Sequence, residues 1–428
     1  MPVRFNVGGG GGVTSEDVTA TRAYVHPSYK TITKDSNDEV VAGTMPLLAA
    51  KTYTPGTANQ TIAAGRYLSG VQTIKGDSNL KSEYIQAGIA IFGVEGSLNA
   101  VVKTSATPLS EGRDNLSGAS VGNYCLFVGG ASSIDPTNTV DAYNTSLVRS
   151  SPTALSSSRE NMCSGSIGDY ALFAGGRDAD AVVSTVNAYN ASLTRSTPTA
   201  LSVKRAFGGR KGANTGDYLL FAGGETDSDS SKTVDAYNKS LTRSTPTALS
   251  TATYAAAGGS VGDYALFAGG EDANYNYIST VVAYNKSLTK STPTALSVAR
   301  DKAASASIEN YAVFAGGSNG ESGGKAVDAY NKSLVRTTPA SFPQVMTRHC
   351  GGQANGRAIF ALGGSSSSAL VSEVYSYDKT LTLKALDNVQ EARRDGECAS
   401  VGNYVLFAGG WVKTSTYSSA VDAYKVSA

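Results

Sequence analysis

An all-β fold built from seven copies of one four-stranded unit is what this 428-residue sequence predicts. Three observations carry the prediction. First, the stretch Gly-Asp-Tyr-Ala-Leu-Phe-Ala-Gly-Gly at 168–176 returns seven times with small changes. Its terminal Gly-Gly pairs begin at Gly129, Gly175, Gly223, Gly269, Gly316, Gly363 and Gly409, in steps of 46, 48, 46, 47, 47 and 46 residues. A fixed period of that length marks a repeat architecture. Second, the apolar runs inside each repeat are long enough for buried strands and too short for helices. Third, the two ends of the repeat region complement each other, as an array closed into a ring requires.

One repeat, residues 157–202, shows the elements in order. Ser157–Ile167 is rich in small residues. Gly168-Asp169 is a two-residue hairpin signal. Tyr170–Ala174 is a short apolar strand, and Gly175-Gly176 ends it, since glycine accepts the positive φ of a sharp exit. A polar loop runs from Arg177 to Thr185. Val186–Tyr189 is a third strand, and Asn190 opens a turn. Ser192–Leu201 reads as a fourth, polar strand; its Pro198 fits only where no neighbour needs the backbone N–H, as on an edge. Four short antiparallel strands with a polar outer edge describe one propeller blade.

The first strands carry small residues where blades converge on a central channel: Cys163-Ser-Gly-Ser, Phe207-Gly-Gly, Ala255-Ala-Ala-Gly-Gly, Ala303-Ala-Ser-Ala-Ser and Cys350-Gly-Gly. The seventh repeat ends at Val421-Asp-Ala-Tyr424 without a fourth strand. Val101–Ser110, just before the first repeat, matches Leu241–Ser250, the outer segment of another repeat. That match predicts that the start of the propeller completes its last blade and removes both exposed edges.

Gly-Gly after an apolar strand, an Arg about sixteen residues upstream (Arg159, Arg300) and Val-x-Ala-Tyr-Asn downstream resemble kelch repeats over residues 100–428. The usual Trp of the fourth strand is absent, and Leu-Thr-Arg-Ser-Thr-Pro stands there instead. The fold class expected is therefore all-β, a seven-bladed kelch-like β-propeller preceded by small N-terminal α+β attachment modules. The expected domains are 1–46, a Gly-rich attachment segment; 47–99, a small linker module; and 100–428, the propeller.

Net charge is +1 and there is no basic run, so nucleic-acid binding lacks its electrostatic footprint. No window approaches the ~20 apolar residues of a membrane span. The N-terminal residues lack the apolar core of a signal peptide. Cys125, Cys163, Cys350 and Cys398 fall in expected blade strands without metal-like spacing, and are read as buried free thiols. In the first hundred residues, Asp77 or Ser78 is an N-cap candidate for a short helix near Leu80–Gln86, and Ile89–Val94 is a strand candidate. Units this small are marginal alone, so oligomerisation is expected to help.

The Gly8–Gly12 run, Gly43-Thr-Met-Pro46, and the stretch from Ala63-Ala-Gly-Arg-Tyr-Leu through Ile91-Phe-Gly-Val-Glu-Gly96 resemble the N-terminal parts of tail fibre and tail-associated proteins of bacteriophages and prophages of Gram-positive bacteria. That resemblance implies a virion or phage-tail-like particle. The chain would be made in the host bacterial cytoplasm, released by lysis, and act outside the cell. Residues 1–99 would bind other tail or baseplate proteins in several copies per particle. The propeller would face a bacterial surface polysaccharide or other receptor, with no nucleic acid and no membrane insertion.

No enzyme signature emerges. A copper radical oxidase on kelch repeats needs a His pair, whereas the two histidines, His26 and His349, are far apart. Sialidase boxes, a Gly-x-Ser-x-Gly elbow and a P-loop are missing. No cofactor and no metal is expected, Glu225-Thr-Asp-Ser-Asp-Ser reading as a solvated turn rather than a Ca²⁺ loop. Arg113, Arg159, Arg205, Arg300, Arg348 and Arg393 recur before the first strands. They could form a cationic ring for anionic wall polymers; pairing with carboxylates such as Asp141, Asp235, Asp328 and Asp422 is favoured. The loops after strand two diverge most among the repeats, which points to a binding rim. The candidate rim residues are Arg177 and Asp178; Asp272, Asn274, Tyr275 and Tyr277; and Trp411, Lys413 and Tyr417. Aromatic faces beside Asn and Asp suit sugar rings. The function expected is a receptor-binding tail fibre. The rival is a structural baseplate or collar protein whose propeller contacts other tail proteins.

Overall fold

A computed structural model describes residues 16, 18–25, 28–45, 57–62, 72–74, 76–85, 89–96, 101–132, 135–207, 211–319, 323–365, 369–413 and 416–427. The chain divides into two units, Met1–Asn99 and Ala100–Ala428.

The second unit is a seven-bladed β-propeller, consistent with the kelch type, each blade a four-stranded antiparallel sheet. Blade two runs outward through Cys163–Ile167, Tyr170–Ala174, Val186–Asn190 and Arg195–Ser196. Ile167 faces Tyr170 across the Gly168-Asp169 turn, where Gly168 sits at φ 52°. The outer strand is shorter than expected, two residues instead of ten, because Pro198 offers no N–H and the edge has no further partner. The ring closes as the repeats imply: Val101–Ser105 is the fourth strand of blade seven, with Val101 opposite Val426 and Ser105 opposite Asp422.

The turn between strands three and four is made by one side chain. In blades one to five, Asn144, Asn190, Asn238, Asn285 and Asn331 each accept backbone N–H groups two and four residues on. Asp378 does the same in blade six. The leucine three residues on is held left-handed, at φ 58–63°, a strained conformation for that residue which the Asn cap offsets. Between blades, seven fully buried tyrosines act as pins. Tyr143, Tyr189, Tyr237, Tyr284, Tyr330, Tyr377 and Tyr424 donate their hydroxyls, at 2.5–2.8 Å, to carbonyls of the crossover entering their own blade. Each also meets a strand-two Phe edge to face or nearly so, as Phe127 meets Tyr143 at 5.9 Å. Hydrophobic clusters lie between adjacent blades; Val128, Met162 and Phe173 share one across blades one and two.

Two blades depart from the expected register. In blade three, Gly208 to Arg210 lie outside the described residues, and the inner strand is Ala213–Asn214 rather than a continuation of Phe207-Gly-Gly. In blade six the glycine pair is displaced by one. Leu362, at φ 60°, occupies the left-handed site that the first glycine takes elsewhere, and Gly364 bridges Thr347 as Ala131 bridges Asp114.

In the first unit the α+β expectation is not met: the described residues hold two-stranded ladders and 3-10 turns, with no α-helix among them. Lys30–Thr31 pairs with Val41–Ala42, and Gln60–Ile62 with Gln72–Ile74. The helix expected near Leu80–Gln86 is one 3-10 turn, Ser82–Tyr84. Asp77 accepts the N–H of Asn79, two residues on, as an N-cap does, but the chain beyond it makes only the single 3-10 turn. The strand expected at Ile89–Val94 is a hairpin, Ala90–Ile91 with Val94–Glu95. Its corner is Phe92 and Gly93, both at positive φ, as a type I′ turn requires. Gly8–Gly12, Pro46 and Ala63–Leu68 lie outside the described residues. Among the described residues no helix is long and apolar enough to cross a membrane.

Candidate functional site

The loops after strands two and four share one face of the propeller. Their hydrogen bonds show it: Leu155 and Arg159, leaving blade one, donate to Asn138 and Thr137 of its strand-two loop. Blade two repeats the arrangement with Leu201 to Ser184 and Arg205 to Val183.

On that rim Tyr275 is the most exposed large apolar side chain described, at 84%. The loop beneath it is rigid. Asp272 accepts the N–H groups of Asn274 (2.8 Å) and Asn276 (2.9 Å) and the side-chain amide of Asn276. Those hydrogen bonds hold the Asp272 carboxyl below its ordinary pKa. Tyr275 is at φ 61°, a strained conformation for a tyrosine, and its ring stands in solvent. Tyr277 and Asn274 are exposed beside it. Asp178 caps its loop the same way, from Asp180 and Ala181. Arg177 is engaged sideways with Glu225 of the next blade, 3.7 Å away.

Trp411 and Tyr417 face each other across a small hairpin, with Lys413 exposed at its end. The indole is half-buried and its face is covered by the Arg394 guanidinium, 4.5 Å from the ring. The two aromatic loops are on blades four and seven, three blades apart around a seven-blade ring, so they do not form one subsite.

The recurring arginines point inward. Arg113, Arg159, Arg205, Arg300 and Arg393 are fully buried. Four pair with aspartates of their own blades at 2.6–2.8 Å: Asp141, Asp235, Asp328 and Asp422. Arg159 has Asn187 instead, and burial without a carboxylate lowers its pKa to about 10. Arg348 is not the sixth of this set. Met346 stands at the equivalent position, its carbonyl receiving the Gly317 N–H as that of Arg300 receives Gly270. Arg348 lies two residues on, at φ 55°, partly exposed and 3.3 Å from Asp395. Blade six replaces the ion pair with apolar packing, Phe342 stacked on Tyr375 at 5.1 Å, while blade four has Thr253 and Val282.

The central channel adds a feature the sequence reading passed over. Ser120, Ser166, Asn214, Ser260, Ser307, Gln353 and Ser400, one per blade, line a cavity of about 290 Å³. Ser166 donates to Ser120 O, Ser120 to Ser400 O and Ser400 to Gln353 O, at 2.6–2.7 Å. At one end Lys211 of blade three reaches across to blade six, donating to Gly351 O at 2.9 Å. It lies 3.1 Å from Cys398 Sγ and 3.8 Å from a Glu397 oxygen. All four cysteines are buried and none is in a disulfide. The signal for this cluster is the period itself. Cys350 and Cys398 are 48 residues apart, one repeat, which places them on adjacent blades.

His349 is a core residue, packed edge to face on Phe342; His26 lies outside the described residues. A comparison with protein-family models gives no match, and neither does a comparison with curated proteins.

Proposed function

We propose that this chain is a non-catalytic receptor-binding protein of the tail-fibre kind, from a phage or phage-tail-like particle. Its first unit docks on other tail proteins, and its propeller recognises a bacterial surface glycan. The observation that carries the reading is the Tyr275 loop: an outward aromatic ring on a pre-formed, carboxylate-capped loop, on the face where the repeats diverge. A sugar ring packed on one tyrosine face is a small contact on its own, so firm attachment rests on several copies per particle. Support for docking by the first unit comes from its apolar surface. Tyr24, Tyr29, Val40, Tyr84, Ile89, Ile91 and Phe92 are seven of the thirteen exposed large hydrophobics described, within less than a quarter of the chain. The recurring arginines are not part of the reading, since five are buried.

The test is adsorption of the full chain to Gram-positive cells and to their purified wall polymers. Tyr275→Ala with Tyr277→Ala is expected to lower adsorption several-fold at an unchanged melting temperature. Trp411→Ala is expected to do less, because its face is covered by Arg394. A chain that adsorbs to no cells or polymers but binds tail proteins through the propeller supports the baseplate or collar role instead.

A further inference from the structure

We propose that the channel end at blades six and seven is a binding site for a thiophilic divalent cation of the zinc class, held by Cys350 Sγ, Cys398 Sγ and the Glu397 carboxylate. Among the described residues this is the one group of three metal-capable side chains whose donor atoms converge, all within 4.8 Å of one another. One tetrahedral ion bonds sulfur at about 2.3 Å and oxygen at about 2.0–2.2 Å, so the three donors need to close in only by about an ångström. All three residues are at least nine-tenths buried, and they stand on rigid inner strands, Cys350–Ala354 and Glu397–Val401. Beside them a cavity of about 30 Å³, bordered by Lys211, Gly351 and Gly396, leaves room for the ion and its fourth ligand.

Charge and donor type agree with the assignment. The donor set is two sulfurs and one carboxylate, which selects soft or borderline metals over Mg²⁺ or Ca²⁺. Binding releases both thiol protons: M²⁺ + 2 RSH + RCOO⁻ gives [M(SR)₂(OOCR)]⁻ + 2 H⁺. The single negative charge left over faces Lys211, whose ammonium already lies 3.1 Å from Cys398 Sγ and is anchored on the Gly351 carbonyl. Such an outer partner, hydrogen-bonded to a ligand sulfur, is how proteins tune a bound metal. The other two cysteines, Cys125 and Cys163, sit singly in separate hydrophobic clusters.

The experiment is titration of the reduced, EDTA-stripped full chain with Co²⁺. The expected result is a thiolate-to-cobalt charge-transfer band that saturates at one ion per chain and is displaced by Zn²⁺, with about two protons released per Zn²⁺ bound. Cys350→Ser and Cys398→Ser each abolish the band, and Cys125→Ser leaves it. Lys211→Met keeps the band and weakens affinity by about ten- to hundredfold. Should the serine variants fail to fold, Glu397→Gln and the proton count decide instead: a shifted band, and two protons. The proposal is overturned by a native chain that shows no band with all four thiols titratable. It is equally overturned by a band that survives both serine variants. A mass two hydrogens low in freshly purified protein, from a Cys350–Cys398 disulfide formed by oxidation of both thiols by dissolved oxygen, would also overturn it and assign the pair to a redox cross-link.

Discussion

Four of the five buried arginines have their charge answered by an aspartate inside their own blade. Removing one partner of such a pair leaves the other charge buried, which typically costs about 3–5 kcal/mol. Asp328→Ala is therefore expected to destabilise the propeller by that order, read as a drop in the denaturation midpoint, with no direct effect on the exposed rim. Blade two offers the converse. Asn187→Asp gives Arg159 the carboxylate that Arg113, Arg205, Arg300 and Arg393 already have, and it should raise the melting temperature at neutral pH. Asp114 predicts a pH-dependent contribution to stability. Burial, with Asp395 and Glu160 nearby, raises its pKa to about 7. Between about pH 4 and 7 the folded state holds a proton that the unfolded chain releases, so this group's contribution to stability falls as pH rises through that window. Melting curves of Asp114→Asn across that range should be flatter than those of the parent; an unchanged slope would assign the pH dependence elsewhere.

Among elements, closure is the decisive one. Val101–Ser105 supplies all the outer pairing of blade seven, and Lys103 adds a 3.1 Å ion pair to Asp422. A chain lacking residues 1–97 keeps that strand; one lacking 1–110 leaves the outer edge of Val421–Val426 unpaired. The longer truncation should melt at a markedly lower temperature, and equal melting temperatures would remove closure as a source of stability. The tyrosine pins belong to the same scale. Tyr189→Phe keeps the contact with Phe173 and loses the bond to Thr153 O, at an expected cost of about 0.5–1.5 kcal/mol. The same substitution in blade five, Tyr330→Phe, should cost a similar amount, because the geometry repeats.

For the molecule as a whole, the two units divide the work that the proposal assigns. The first carries small ladders and much exposed apolar surface; the second carries a closed ring with a divergent rim. Light scattering of the full chain, alone and with tail proteins, is expected to show an oligomer or a complex that is lost when residues 1–99 are removed. A chain that stays monomeric and binds no tail protein with those residues present would count against docking through the first unit.

Most of the propeller was legible in the sequence because its information is local and repeated seven times. The Gly-Gly exits, two-residue hairpins, Asn turns and Val-x-Ala-Tyr strands each fix short-range geometry, and the matching ends imply closure. What only the tertiary structure decided depends on neighbours. Arg348 matched the arginine spacing, yet the one-residue displacement at Leu362 and the placement of Met346 put it outside the buried set. Trp411 looked like an open sugar platform, and Arg394 covers it. Tyr275 and Trp411, alike in sequence, stand three blades apart. The N-terminal helix shrank to the single 3-10 turn Ser82–Tyr84, although Asp77 makes the bond of an N-cap. Cys350, Cys398, Glu397 and Lys211 come together only when the ring closes, since a distance of one repeat along the chain becomes a contact between adjacent blades, and Lys211 reaches its partners across the channel.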